Sequence, residues 1–525
     1  MHKKVKTEIL VFLIILAVAS FFRLYKLDSP PDARLPDEQG RAGIPPGLYP
    51  DEAMNGNNAL TALDTGQYKV FYPDNNGREG LFINIQAMSL KIFGIHPWSL
   101  RLVSAVIGIL TVAGLYLLAK EVFGWRQAAL ASFMMAISSW HVIFSRIGFR
   151  AIMVPFVLVF GFYFFWKGLK KTDFISFGLA GLFWGLGAHT YISFRVAPLI
   201  LLVVLAVYWM SIKKDFSLSK YRYTKARLIF GLIIFLAVAV LVAFPIIVFY
   251  LQHPDSFLGR TSAGLSVFAQ EHPMKELGMS IVRTLGMFNF AGDYNWRHNI
   301  SKWPQLSLPI GLLFVLGFFR ELYHLAKREH KHISTTHAFL FAWFFVMLIP
   351  GFLSIEAPHA IRTMGALPVI MIFAAQGLYW LFSKFYRWHS MYNPHADIRE
   401  SRILVVVALV AFLTSVGFLE YHRYFQVWGQ NKETAGAFSQ KYVELANKLN
   451  ASCEEDINIK KYVLVNAGGV LVNGIPMPSQ TVMFLTDTFT LEKQAAKNLF
   501  YLAEQQYDNG NYDGDSLLYS LEPLE

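Results

Sequence analysis

The chain has 525 residues, 54% hydrophobic and only 16% charged, where soluble globular chains carry about 25% charged residues. An ordinary soluble protein and a disordered one are therefore excluded. The formal net charge of +11 points to cytoplasmic loops rich in Lys and Arg, not to nucleic acid.

A bilayer core needs about 20 mostly apolar residues per helix. Hydropathy predicts about eleven spans: Ile9–Phe22, Leu100–Leu118, Ala128–Phe144, Ile152–Trp166, Phe174–Ala188, Val196–Met210, Leu228–Leu251, Leu306–Phe319, Ala338–Leu353, Met364–Phe382 and Ile403–Leu419. The first follows Lys3, Lys4 and Lys6, and Ala17-Val18-Ala19 looks like a signal-peptidase site. A retained anchor is the expectation, because the first outer loop must be tethered. With the N-terminus in the cytoplasm, five consecutive inner loops are basic. They hold Lys120 and Arg126, Lys167 to Lys171, Lys213 to Arg227, Arg320 to Lys331, and Lys384 to Arg402. An odd span count puts the C-terminal tail outside.

The expected organisation is a transmembrane domain over residues 1–419, with outer loops 26–99 and 252–305, and an outer domain over 420–525. The stretch Pro30–Pro50 reads as an irregular loop. The tail reads as a small α/β unit: helix Gly436–Leu449, strands Tyr462–Val465 and Thr481–Leu485, helix Leu491–Leu502. The single cysteine, Cys453, excludes an intrachain disulfide or a thiolate metal cluster.

Outer loops hold the polar residues that bear chemistry. In Tyr49-Pro50-Asp51-Glu52 two carboxylates follow a proline at a helix start. Asp51 reads either as an N-cap or as a base or metal ligand beside the membrane. Arg78 and Glu79 precede an amphipathic run, Leu81–Phe93; they are a solvated pair or the closure of a site. Arg101 lies inside a span end, where a cation needs a carboxylate partner nearby. Arg146 and Arg150, four apart, share a face if helical, and either snorkel to headgroups or bind phosphate.

His189, Tyr191 and Arg195 cluster at the next outer junction. Asp293, Trp296, Arg297 and His298 mix acid, base and aromatic groups, as a sugar pocket does; a polar turn is the plain alternative. His359 and Arg362 sit three apart at the depth of a lipid phosphate. Walker A, dinucleotide, His-Glu-x-x-His and Gly-x-Ser-x-Gly motifs are absent from the sequence.

The order of these motifs resembles the bacterial lipid-carrier-dependent glycosyltransferases of family 39. These form part of the GT-C superfamily, with the protein O-mannosyltransferases and the aminoarabinose transferase of lipid A. The elements carrying the likeness are Pro50-Asp51-Glu52, Arg78-Glu79-Gly80, Ser99-Leu100-Arg101-Leu102, Ser145-Arg146, His189–Arg195 and Pro358-His359-Ala360-Ile361-Arg362. The resemblance implies a polytopic α-helical GT-C fold in the plasma membrane and an acid in the first outer loop as catalytic base or metal-site residue; Asp51 holds that place. Many members have a second acid after Ser-Arg, where this chain has Arg150-Ala151. A divalent metal, Mg or Mn, is left open.

The expected reaction is inverting transfer of one sugar, hexosyl or pentosyl, from a polyprenyl-phosphate donor to an acceptor hydroxyl outside the membrane. Asp51 is assigned as base and Glu52 as its supporting carboxylate. Arg362, His359, Arg146 and Arg150 are assigned to the donor phosphate. Arg78, Glu79, His189, Tyr191, Arg195, Asp293, Trp296, Arg297 and His298 are assigned to substrate. The acceptor, whether protein, lipid or polysaccharide, is left open. The rival reading is a transporter or flippase of lipid-linked sugars, which predicts repeated halves and mid-span charges; the charges sit at helix ends instead.

Overall fold

In hydrocarbon every backbone N–H and C=O must be satisfied within the chain, so long apolar runs become helices. The computed structural model describes residues 2–28, 43–213, 218–257, 266–327, 331–392, 398–510 and 516–523. Among these, nine helices are long and apolar enough to cross a membrane. They match nine of the predicted spans, and the chain is a multi-pass helical membrane protein. The two other predicted spans are also helical but differ in form. Phe174–Gly187 is a shorter apolar helix of 14 residues. The run from 128 to 144 is broken in two, as described below. The predicted irregular stretch falls largely outside the described residues.

Helix α1 (His2–Leu24) leads into the first long connecting segment, which holds α2 (Pro50–Thr65) and α3 (Gly80–Phe93). The long α4 (Pro97–Phe123) then descends, and α5 (Trp125–Ile137) returns. Ser138 leaves helical geometry, and the short α6 (Ser139–Phe144) restarts the turn. A break inside a bundle strips carbonyls from one helix end and N–H groups from the next. Side chains meet part of each set here. The Arg23 guanidinium donates to the carbonyls of Ala136 and Met135, at 2.8 and 3.3 Å. The Glu420 carboxylate accepts from the Ser139 N–H at 2.8 Å and from its hydroxyl. Cation at the C-terminal end and anion at the N-terminal end also suit the helix dipoles.

The tail is α/β, with two corrections to its predicted elements. Its sheet is three-stranded and parallel, with Lys461–Val465 central between Leu499–Ala503 and Leu517–Ser520. The predicted strand Thr481–Leu485 is instead a helix, Ser479–Thr486, buried nearly all round. A short apolar run buried on every side has no period to distinguish strand from helix. The predicted helix Leu491–Leu502 stops at Lys497, where Asn498 takes a left-handed conformation, and its second half is a strand.

This C-terminal unit rests on α2. Asn57 donates to the side chain and carbonyl of Gln480 at 2.9 and 3.2 Å, and Thr481 donates to the Leu48 carbonyl at 3.0 Å. Phe484 packs against Gly56, where an added Cβ would lie 2.4 Å from its ring. Glycine at 56 is thus the residue that lets the two helices touch.

Candidate active site at the outer helix ends

Pro50 opens α2 with its ring in the first helical turn, where a missing N–H costs nothing. Tyr49, not Asp51, is the N-cap residue, which corrects the capping alternative. Consecutive helical residues point about 100° apart, and Asp51 and Glu52 diverge accordingly.

Glu52 turns inward and is fully buried. Arg101 grips both its oxygens at 3.0 Å, and the Gly148 N–H donates to one of them at 2.6 Å. The Tyr49 N–H donates to the other at 3.4 Å. Arg101 also donates to the carbonyls of Pro45 and Gly47, each at 2.8 Å. Glu52 is therefore the partner that Arg101 required. Its lone pairs are consumed in tying α2, α4 and the 145–150 turn together, so it is no supporting carboxylate for catalysis.

Asp51 turns outward, half-buried, and accepts from the Asn75 amide at 2.8 Å. It lines a cavity of about 230 Å³ with Tyr49, Asn55, Asn75, Arg78, Phe149, Arg150, Ala151, Tyr191, Arg297, His298, His359, Ile361 and Arg362. Asp51 is the one carboxylate on this lining, against four arginines.

Each arginine is aimed by a different device. Arg78 donates to Asn55 at 2.7 Å and to Asn58; these amides lie three apart on one face of α2. Arg150 donates to Glu79 at 2.7 Å and lies over the Tyr191 ring, 5.3 Å from its centroid. Arg297 lies 3.9 Å from the Tyr49 ring centroid. Burial and the neighbouring Asp51 carboxylate raise the Tyr49 phenol, so that ring presents a neutral face to Arg297. Arg362 is held by Ser354 and Glu356.

Behind the wall, Asp293 accepts from His298 Nδ1 at 2.9 Å and from the Ala360 N–H at 2.7 Å, both through Oδ2. Its Oδ1 accepts from the Asn295 N–H at 2.8 Å. Burial alone would raise this carboxyl; His298, His359 and the Ala360 N–H outweigh it and hold the group down at about 2. Burial, with His298 beside it, keeps the His359 imidazole well below its usual range, so the ring is neutral.

Other predicted site residues lie elsewhere. Arg146 is fully buried and follows the end of α6, so no helical face is shared with Arg150. Its donors go to the carbonyls of Ile44, Phe22 and Lys26. A guanidinium so occupied has no fork left for a phosphate. His189 bonds the Val242 carbonyl at 2.9 Å and joins two spans. Arg195 donates to the Phe257 carbonyl at 2.8 Å and sits over that ring. Trp296 packs against the core and offers its carbonyl to the Trp428 indole at 2.7 Å. Glu79 acts behind the lining, on Arg150.

Residues that sequence reasoning left without a role are Tyr49, Asn55, Asn75 and Phe149. The dense amides of Asn55-Gly56-Asn57-Asn58 within a helix were the available signal, since asparagine is a poor helix former without a polar partner.

The metal site admitted at Asp51 does not fit. Its neighbour is an amide, and the place of a second acid is filled by Arg150, bound to Glu79. Among the described residues one group of carboxylate and imidazole atoms is close enough to hold a cation: Asp293, His298 and His359.

The bundle is similar in fold to solved membrane proteins of the GT-C type. ArnT from Cupriavidus metallidurans, solved bound to undecaprenyl phosphate, superposes on 97% of this chain and 89% of its own, with a TM-score of 0.51 at 13% identity. The Archaeoglobus fulgidus oligosaccharyltransferase in its apo form superposes on 94% of this chain and 64% of its own, with a TM-score of 0.52 at 14% identity. At such identities the likeness is one of fold. Residues 81–244 match the model of the family described as dolichyl-phosphate-mannose-protein mannosyltransferase. In Bacillus subtilis (strain 168), "Putative mannosyltransferase YkcB" is 26% identical over 225 residues, 41% of this chain and 28% of that protein. YycA, of the same designation and organism, is 30% identical over 134 residues, 25% of this chain and 19% of its own. The chain thus matches at most 28% of these relatives' length.

Proposed function

We propose that the chain is an inverting glycosyltransferase that moves one sugar from a polyprenyl-phosphate-linked donor to an acceptor hydroxyl on the extracytoplasmic side. One observation carries this reading: a lone carboxylate, Asp51, shares a cavity with Arg78, Arg150, Arg297 and Arg362. Arginine forks suit phosphate oxygens, and four of them favour a leaving group that gains negative charge. The family described for residues 81–244 has a lipid-phosphate sugar in its name, which supports the donor class.

In this mechanism Asp51 takes the proton of the acceptor hydroxyl. The acceptor oxygen forms its bond to the anomeric carbon as the bond from that carbon to the phosphate oxygen breaks. The lipid phosphate leaves with the electron pair, into the arginines. Asn75 holds Asp51 and leaves its second oxygen for the proton. The basic loops lie at the helix ends opposite the cavity, which supports an outward-facing site.

The test is to incubate membranes holding the protein with a panel of polyprenyl-phosphate sugars, mannose first, and to measure donor consumption and free lipid phosphate. Consumption of one donor by the wild type and its loss in Asp51→Asn is the expected result. Donor that crosses the membrane without release of lipid phosphate refutes transfer. Cysteine labelling of the Asp51 loop, in a Cys453→Ser background, is expected only from outside.

A further inference from the structure

We propose that Tyr250 is a positioning residue for the cavity. Its hydroxyl holds one oxygen of Glu79, and so keeps the guanidinium fork of Arg150 turned to the ligand instead of closed on its own carboxylate. The proposal rests on the reading that Arg150 meets an oxygen of the donor phosphate, and it names what sets that arginine up.

The buried pairs Arg101–Glu52 and Arg150–Glu79 differ in form. Arg101 meets Glu52 with two nitrogens, Nε on one oxygen and Nη2 on the other, both at 3.0 Å. That bidentate form is the one a planar fork and a carboxylate favour. Arg150 meets Glu79 through Nε alone, at 2.7 Å to Oε2. Glu79 and Arg150 are both buried too, so exposure to water does not explain the missing second bond. The terminal nitrogens of Arg150 bond nothing among the described residues, and the residue lines the cavity.

The second oxygen of Glu79 is engaged elsewhere. Tyr250, in the last turn of the helix Leu218–Gln252, reaches Oε1 with its hydroxyl at 3.4 Å. The direction of that proton follows from what lies behind it. Arg195 Nη2 stands 3.2 Å from the same hydroxyl oxygen, and a guanidinium carries donors only. The Tyr250 oxygen therefore accepts from Arg195, and its single proton is left for Glu79. The bond is longer than the usual hydroxyl–oxygen range; the charge on the acceptor and polarisation by Arg195 strengthen it. Arg195 is fixed in turn by the Phe257 carbonyl at 2.8 Å, and lies 4.1 Å from that ring's centroid.

The backbone keeps these parts together. Glu79 pairs with Phe71 across a short antiparallel hairpin. The Phe71 ring stacks on Phe249 at 4.7 Å and meets the Tyr250 ring edge-on at 5.7 Å. The hairpin that presents Glu79 is thus docked on the same helical turn that presents Tyr250. Removing the hydroxyl alone leaves this ring packing in place. It lets the Glu79 carboxylate turn its second oxygen onto a terminal nitrogen of Arg150, which then gives Glu79 the donor it would give a phosphate.

The test is binding of undecaprenyl phosphate to full-length protein in detergent, measured for the wild type, Tyr250→Phe, Glu79→Gln and the double variant. Tyr250→Phe is expected to weaken binding by about tenfold, the worth of one charge-assisted hydrogen bond, with thermal unfolding unchanged. A carboxamide has one acceptor oxygen and cannot chelate a guanidinium. In a Glu79→Gln background the same tyrosine change is therefore expected to leave binding where it was. A hydroxyl that only supports the fold would weaken binding equally in both backgrounds, and that result overturns the role. So does a Tyr250→Phe protein that binds as the wild type does. A wild type that binds no undecaprenyl phosphate overturns the phosphate reading of the cavity, and this role with it. The first two results require a wild type that binds, so failure of the role and failure of that reading are told apart.

Discussion

Two polar regions meet at the start of α2 and are built from the same residue types. Behind the helix, Glu52, Arg101 and Arg146 form a sealed knot. In front of it, Asp51 faces Arg78, Arg150, Arg297 and Arg362 across a cavity. The knot's guanidinium donors end on backbone carbonyls or on a carboxylate with no lone pair to spare. The cavity arginines are aimed by amides, rings, a hydroxyl and the carboxylates of Glu79 and Glu356, and all four border the cavity. Arginines of both regions hold carboxylates; what separates them is whether the guanidinium borders the cavity or is enclosed by backbone carbonyls.

Substitutions sharpen this contrast in descending order. Asp51→Asn is expected to cut sugar transfer by about 10²–10⁴-fold, the usual share of a general base, and to leave thermal unfolding in detergent where it was. Normal turnover in that variant removes Asp51 from the chemistry. Glu52→Ala is expected to do the reverse first. It strands the Arg101 cation in the interior and costs about 3–5 kcal/mol of stability. Combining it with Arg101→Met should cost less than the sum of the two single changes; strict additivity would break the knot as a unit.

Arg362→Met and Arg146→Met form the third comparison. Losing a charge-assisted hydrogen bond to the donor is worth about 1.5–3 kcal/mol. Arg362→Met should therefore raise the donor KM at unchanged stability, and Arg146→Met should lower stability at unchanged KM. Equal behaviour of the pair would erase the distinction drawn above. The smallest effect belongs to Tyr49→Leu. It removes a cation–π contact worth about 0.5–2 kcal/mol, and should weaken donor binding modestly, as measured by competition with a lipid phosphate.

Much of the bundle was legible because lipid leaves an apolar run no alternative to the helix. The need of Arg101 for a nearby acid was legible for the same reason. The choice of Glu52 over Asp51 as that acid was not. It depends on which side of α2 meets α4, and adjacent residues differ by one helical step. Arg146 misled because the i,i+4 spacing holds only within a helix, and α6 ends at Phe144. Thr481–Leu485 misled because burial on every face erases periodicity. Asp293, His298 and His359 stood 66 residues apart end to end, and only the fold brings their atoms within 4.8 Å.

The contact between Gly56 and Phe484 has a pharmacological consequence. Gly56 lies five residues along α2 from Asp51, on the face turned to the C-terminal α/β unit. A small molecule that pries this seam apart would tilt the helix that carries Asp51, from a surface away from the cavity. Such a molecule would act without occupying the cavity at all.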